Sequence, residues 1–457
     1  MAKGRDTAFL GHPSGLGWLS GSEFWERFSY YGMQALLVLY MTHYLLLPGH
    51  VEKIWGFVPF RDFLQSFYGP QQPAALASII FGLYAGLVYV TPLGGGLLAD
   101  RLTGRTVAVT VGALLMAIGH FLMAFEASFL LALLCLLVGV GCFKGNIAAQ
   151  VGDLYAEDDP RRADAFQIYY LAIQVAVIVS PLVCGTLGET VGWHWGFGAA
   201  GVGMLIGLAI YLVGRPSLPK ERLRGGEVER PPLTGRDMRV IVLLCLLIFP
   251  LALSLVGNME IFNAYMIWAE KHYQMHYFGV NLPITWLQSL DAVVSTAMIA
   301  ASVLFWRWYA TRWTEPDEIT KVTIGVGIGA LAPLTLAAAS AIVAATGRPA
   351  SLGWALAFHL LNDIGFSNVL PVALALYTRA APKGLEGLMI AVYYLQLFLA
   401  NMLVGYVGSL YDTMTAVNFW LLHVALMAVA GAVLLAVRRF AGDVLAPPYD
   451  GPQTAVA

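Results

Sequence analysis

The chain has 457 residues, of which 58% are hydrophobic and 12% charged, with a formal net charge of −2. Soluble domains carry about 25% charged residues, and half that amount cannot coat a soluble surface of this size. The same scarcity excludes a disordered chain or a nucleic-acid-binding surface, and the mean hydropathy of +0.70 points to an integral membrane protein.

Twelve segments hold the roughly 20 mostly apolar residues needed to cross a bilayer as a helix. They are 17–46, 75–98, 106–125, 128–149, 164–187, 194–214, 238–269, 284–309, 319–345, 351–378, 386–410 and 415–437. Runs this long exclude the strands of a barrel. The first and seventh exceed the bilayer thickness and are expected to tilt or project. The stretch 47–72, with Trp55, Phe57 and Phe60, reads as an interfacial loop. The polar stretch Arg215–Arg239, with Pro216, Pro219, Pro231 and Pro232, reads as a linker between two halves. The expected division is an N-terminal six-helix bundle over 1–214, a cytoplasmic linker over 215–237, a C-terminal six-helix bundle over 238–440 and a cytoplasmic tail over 441–457. Met1–Ser20 has no apolar core ahead of a small-residue cleavage site, so the first segment should stay in the membrane.

Lysine and arginine set the orientation. With the N-terminus in the cytoplasm, 20 basic residues fall on the inner side. Four, Lys53, Arg61, Lys271 and Arg348, fall outside, and Arg27 and Lys144 remain at membrane depth. Both termini are therefore expected in the cytoplasm of a bacterial cell, with the chain crossing the inner membrane.

Several residue types read as structural. Cys135, Cys142, Cys184 and Cys245 lie in apolar runs at no metal-ligand spacing, so they are expected in the core and no metal site is anticipated. His120, His359 and His423 also lie in apolar segments and are expected as core residues. No P-loop, dinucleotide fingerprint or nucleophile elbow is present. The sequence points away from an enzyme, from ATP-driven transport and from any cofactor other than a coupling proton.

Ionisable residues inside a span are functional candidates. The first segment holds Glu23-Phe-Trp-Glu26-Arg27-Phe-Ser-Tyr30-Tyr31-Gly32. Positions i, i+3 and i+4 share a helical face, so Glu23, Glu26 and Arg27 should look into a polar cavity. Two acids against one Arg leave a carboxylate in need of a partner. Lys144, in Gly141-Cys-Phe-Lys144-Gly-Asn146 of the fourth segment, is the expected one. A balanced cluster of this kind can gain or lose a proton when a ligand carboxylate arrives.

Between the second and third segments stands Gly95-Gly-Leu-Leu-Ala-Asp100-Arg101-Leu-Thr-Gly104-Arg105. It resembles the loop signature of the major facilitator superfamily, which implies that Asp100, Arg101 and Arg105 gate rather than touch substrate. The charged motif of the first segment, preceded by His12-Pro13, resembles the first helix of the proton-dependent oligopeptide transporters. Phe143-Lys144-Gly-Asn146 is similar to that family's Phe-Lys-Pro-Asn element, and Tyr84-x4-Tyr89-x-Thr91-Pro92 and Trp286-Leu-Gln288-Ser289 also fit. The resemblance covers about residues 11–405. It implies an all-α integral membrane protein with the major facilitator fold, twelve transmembrane helices in two six-helix bundles, and proton-coupled import of di- and tripeptides by a monomer. Glu23, Glu26, Arg27 and Lys144 would serve proton coupling, and Arg27, Lys144, Tyr31 and Tyr89 the peptide carboxylate, with Tyr30 adjacent.

Departures from the family pattern lie mostly in the second half. Gln34 stands where an Arg is usual, and Met259 where its Glu partner is usual, with Glu260 one residue on. Phe366 replaces a tenth-helix Glu, Asp291 replaces an eighth-helix Asn, Gln174 replaces a fifth-helix Asn and Ala176 a Gly. The spacing also leaves no room for two accessory helices between the halves. The acid for the peptide ammonium is expected to have moved to Asp291 or Asp363, with Gln174 and Tyr30 toward the peptide backbone and Glu260 as a proton site. The alternatives are the same fold moving another small zwitterion or anion, or exporting, and a non-transporting peptide sensor.

Overall fold

A computed structural model describes residues 6–156, 159–219 and 233–445. The expectations for Lys3, Arg5, Lys220, Arg222, Arg224, Arg230, Pro231 and Pro232, and for all but the start of the tail, lie outside the described residues. The first crossing helix, α1, is Ser14–Tyr40, continued by a single π-turn, Met41–Leu45. Asp6 leads into it by accepting hydrogen bonds from the Ser14 and Ala8 amides, which hold its carboxyl below the usual range. Eleven further helices are long and apolar enough to cross a membrane. They are α2 (Pro73–Thr103), α3 (Arg105–Leu122), α4 (Glu126–Asp153), α5 (Arg161–Thr190), α6 (Trp193–Ser217), α7 (Gly235–Ser254), α8 (Trp286–Ala310), α9 (Glu318–Thr346), α10 (Leu352–Ala380), α11 (Glu386–Thr413) and α12 (Ala416–Leu445). α1, which carries the charge triad, is not among these eleven apolar spans.

Two expectations are corrected. The seventh segment is not one long helix. After α7 the chain passes through a short turn, Val256–Met259, and a 3₁₀ turn, Glu260–Phe262, and restarts as the outer piece Ala264–His272. Asn263 breaks the ladder with φ −127° and ψ −114°, and its amide donates to the Val404 carbonyl of α11 at 3.3 Å. That bond to a neighbouring helix offsets intrahelical bonds given up at the break. The stretch 47–72 is not all loop either, because Phe57–Tyr68 forms a helix. Phe57 and Leu64 are buried on one side while Asp62, Phe63 and Phe67 are exposed. Apolar residues at 57, 60 and 64 follow a helical period, as an interfacial amphipathic helix requires. Between the outer piece of α7 and α8, strands β1 (His276–Tyr277) and β2 (Val280–Asn281) form a hairpin. Phe278 and Gly279 turn it with φ of +50° and +81°, as a two-residue primed turn needs.

Within the first half α1 packs on α5 and α6, and α4 on α2 and α3. Within the second half α10 packs on α8 and α9, and α12 on α7 and α9. The halves meet along two seams, α2 with α11 and α5 with α8. The first seam is backbone against backbone. A Cβ added at Gly82 would lie 2.5 Å from the Asn401 carbonyl oxygen and 2.6 Å from the Gly405 Cα. Small residues give this closeness in a bilayer, where no hydrophobic force draws helices together.

The side-chain contacts between halves lie from mid-depth to the end at which α1 finishes. His43 meets Glu270 at 2.7 Å, Glu189 accepts from the Ile284 and Thr285 amides, Trp286 donates to Thr186, and Tyr31 meets Phe262. Toward the end at which α1 starts, Leu93, Leu97 and Leu98 of α2 are exposed, and no cross-half hydrogen bond or ion pair joins the described residues there. The molecule is thus closed at one face and open at the other.

The seam predicts a sharp contrast between glycines of α2. Gly82→Val should lower the melting temperature of the detergent-solubilised protein, overpacking costing about 1–3 kcal/mol. Gly94→Val, where an added Cβ meets nothing within 4 Å, should leave it unchanged. Equal melting temperatures for the two variants would count against tight packing at the seam.

Candidate functional site

The α1 triad is assembled as its spacing requires. Arg27 Nε lies 2.9 Å from Glu23 Oε1 and 2.5 Å from Glu26 Oε2. All three are buried, at 3%, 2% and 0% exposure for Arg27, Glu23 and Glu26, and one guanidinium therefore faces two carboxylates in a dry bundle. The buried Tyr169 hydroxyl of α5 lies close to the Glu23 carboxylate. Sequence reasoning missed this residue, because nothing in a Tyr-Tyr pair on another helix announces its partner. Tyr30 gives its ring to the Arg27 guanidinium at 5.6 Å, and Tyr31 packs against it on the cavity side.

Lys144 makes no ion pair with Glu23 or Glu26, contrary to expectation. It reaches from α4 toward α2, and its ammonium sits 4.9 Å from the centre of the Tyr89 ring. An aromatic face can hold a cation in this way, and the ammonium thereby stays available at the cavity edge. Arg105 bridges Asp100 at 3.5 Å and also pairs with Asp153 at the end of α4, tying the α2–α3 loop to α4. Arg101 is exposed beside them.

Across the cavity the two acids proposed as alternatives come together. Asp291 of α8 and Asp363 of α10 join His359 with their ligand-type atoms all within 4.8 Å. His359 Nδ1 donates to Asp291 Oδ1 at 2.9 Å, and Nε2 faces the Tyr265 hydroxyl at 3.2 Å. A carboxylate only accepts, so Nδ1 carries the hydrogen toward Asp291, and Nε2 meets the Tyr265 hydroxyl. With both nitrogens engaged, the group closes as a hydrogen-bonded cluster. His359 is thus a fully buried core residue, as expected, and its hydrogen bonds join it to two other helices. The legible signal was the i, i+4 spacing of His359 and Asp363, which puts both on one face of α10. Asp363 Oδ1 accepts from Asn362 at 3.3 Å, and its Oδ2 is buried with no hydrogen-bond partner among the described residues.

Glu260 lies apart from the α1 triad. Its Oε2 accepts from the Ala264 amide at 3.0 Å and so caps the outer piece of α7. Its Oε1 faces His423 Nε2 of α12 at 3.4 Å. His423 Nδ1 donates to the Phe419 carbonyl at 2.9 Å, which leaves Nε2 facing the Glu260 carboxyl, both groups fully buried. His423 is likewise a fully buried core residue, as expected. Gln174 spans the seam, donating to Thr296 at 2.7 Å. Gln288 is buried with both amide ends unpartnered among the described residues, one turn before Asp291.

The arrangement has a recognisable chemistry. Arg27 and Lys144 stand on α1 and α4 of the first half, and Asp291 with Asp363 on α8 and α10 of the second. Comparison with known proteins finds relatives among transporters. Residues 106–232 match the model of the POT family. It is 29% identical to the peptide transporter YePEPT of Yersinia enterocolitica over 88% of each chain. It is 25% identical to a di-/tripeptide transporter of Lactococcus lactis subsp. cremoris, covering 95% of this chain and 97% of that one. A crystal structure of a POT peptide transporter in complex with sulfate superposes with a TM-score of 0.84 at 23% identity, over 96% of this chain and 97% of that one. A POT family transporter in complex with 5-aminolevulinic acid gives 0.76 at 22% identity, over 96% and 98%. The chain accordingly shares the fold of these solved structures.

Charge balance in α1 yields a testable consequence. Arg27→Met leaves two buried carboxylates without their cation and should destabilise the protein by about 3–5 kcal/mol, the cost typical of breaking a buried pair. Adding Glu23→Gln and Glu26→Gln to that variant should recover much of the loss in a thermal-melt assay. A triple variant no more stable than Arg27→Met would show that charge is not the reason.

Proposed function

We propose that this protein is a proton-coupled symporter that imports di- and tripeptides by alternating access. The observation that carries the reading is the opposed pair of sites, Arg27 with Lys144 on one wall and Asp291 with Asp363 on the other. A peptide is a rod with a carboxylate at one end and an ammonium at the other, so it fits a cleft with opposite charges on its walls. Arg27 and Lys144, with Tyr31 and Tyr89 beside them, would receive the carboxylate. Asp291 and Asp363 would receive the ammonium, with Tyr30, Gln174 and Gln288 near the peptide backbone. A bound peptide then draws the walls together, which favours closure.

Proton coupling follows from the surplus acid of α1. An incoming peptide carboxylate competes with Glu23 and Glu26 for Arg27, and the displaced glutamate is stabilised by taking a proton. Glu260, which caps the outer piece of α7 where that piece meets α1 through Glu270, would tie a second proton to the closed face. Asp100, Arg101 and Arg105 would act at the open face. In this reading the open face is cytoplasmic, both termini lie in the cytoplasm, and a monomer of two six-helix bundles, 1–214 and 238–440, works in the inner membrane without a cofactor. Transport of another small zwitterion is the second reading, favoured by the loss of the usual tenth-helix acid at Phe366.

The test is uptake of labelled dialanine into proteoliposomes with an inward proton gradient. Wild type should accumulate the dipeptide, and Lys144→Ala should lose gradient-driven accumulation. Asp291→Asn should raise the KM roughly tenfold or more, since a hydrogen bond to a charged group contributes about 1.5–3 kcal/mol. Folded protein with no dipeptide flux would refute peptide import and leave the second reading.

A further inference from the structure

The anionic pocket does not balance its own charge. Asp291 is met by the Nδ1 hydrogen of His359. Asp363 has one oxygen bonded to Asn362, and its other oxygen is buried, unpartnered among the described residues and near a second carboxylate. The residue is 1% exposed. The remaining surroundings do not supply a cation. From α8 the facing titratable group is Asp291, α10 itself adds His359, and the outer piece of α7 adds the Tyr265 hydroxyl. The charged residues of α9 and α11 stand at the ends of those helices, Glu318, Lys321 and Glu386 at the starts and Asp412 at the finish of α11. His423 of α12 is committed to Glu260 and the Phe419 carbonyl. A bare carboxylate in such a place must be neutralised by a proton or by a bound cation.

We infer that Asp363 carries a proton in the empty transporter and that the ammonium group of an arriving peptide replaces it, so that docking of each peptide releases one proton from the Asp291–His359–Asp363 cluster. The inference rests on the reading above that the ammonium docks at these two acids. The exchange balances. The O–H bond of the Asp363 carboxyl breaks, the electron pair stays on oxygen, and the ammonium takes over the positive charge. The proton leaves toward the cleft past Asp291, whose side chain retains 12% exposure. Peptide and proton compete at this pocket, whereas at α1 they arrive together. The two walls thus respond to substrate with opposite proton traffic, and the net coupling is their difference.

Calorimetry of the full chain in detergent decides this. Titration with dialanine at mildly acidic pH, in two buffers of different ionisation enthalpy, gives the net number of protons exchanged on binding. Because α1 exchanges protons too, the informative quantity is a difference. Wild type should release about one proton more than Asp363→Asn. Wild type should also release about one more with dialanine than with propionyl-alanine, the same molecule without its amine, and this second comparison needs no variant to fold or bind. Equal counts for the two ligands would overturn the inference while leaving peptide binding intact. Failure of folded wild type to bind dialanine would overturn both the inference and the transport reading beneath it.

Discussion

Charge neutrality in a dry interior is the constraint on which the rest of this molecule depends. A carboxylate or guanidinium withdrawn from water costs several kcal/mol unless paired, and α1 withdraws three such groups within five residues. Their mutual pairing makes the helix tolerable. Its incompleteness, two acids to one base, keeps the helix from being a static strut. The Tyr169 hydroxyl and the Lys144 ammonium, held on an aromatic ring, are responses to that imbalance. The opposite wall meets the same constraint with other groups, enlisting histidines where α1 uses arginine.

The parts of the architecture that rest on local sequence were legible. Long apolar runs give spanning helices because the backbone must satisfy itself in lipid. Three charges at i, i+3 and i+4 give a polar face because helical geometry leaves no alternative. What depends on distant partners was not legible. His359 could not be paired locally because its acceptor, Asp291, sits on another helix 68 positions away. The break after Ser254 was hidden in an apolar run, since Asn263 looks tolerable in a helix until a carbonyl of α11 is there to take its amide. Lys144 went astray for a related reason. Opposite charges suggest a pair, but an aromatic face on α2 competes for the same ammonium. The amphipathic helix at 57–68 was legible in its spacing but obscured by its shortness.

The broken seventh segment shows how local weakness is placed to advantage. Three features converge there. Asn263 and Glu260 satisfy the backbone at the break, His423 ties the same glutamate to α12, and the outer piece carries Glu270 to His43 of α1. A continuous helix would move as a rod. Two pieces joined by a hydrogen-bonded turn can change angle while each stays intact, so the closed face can loosen without unfolding.

The bare contact of α2 with α11 has a mechanical meaning. Where Gly82 lies against Asn401 and Gly405 no side chains intervene, and two cylinders touching without teeth can roll but have nothing to ratchet against. Side-chain knobs elsewhere would lock a sliding register, and their absence here confines motion to rotation about the line of contact. The glycines therefore behave as a fulcrum. In the alternating-access reading, a fulcrum between the two faces opens one as it closes the other by geometry alone, with no signal passed through the protein.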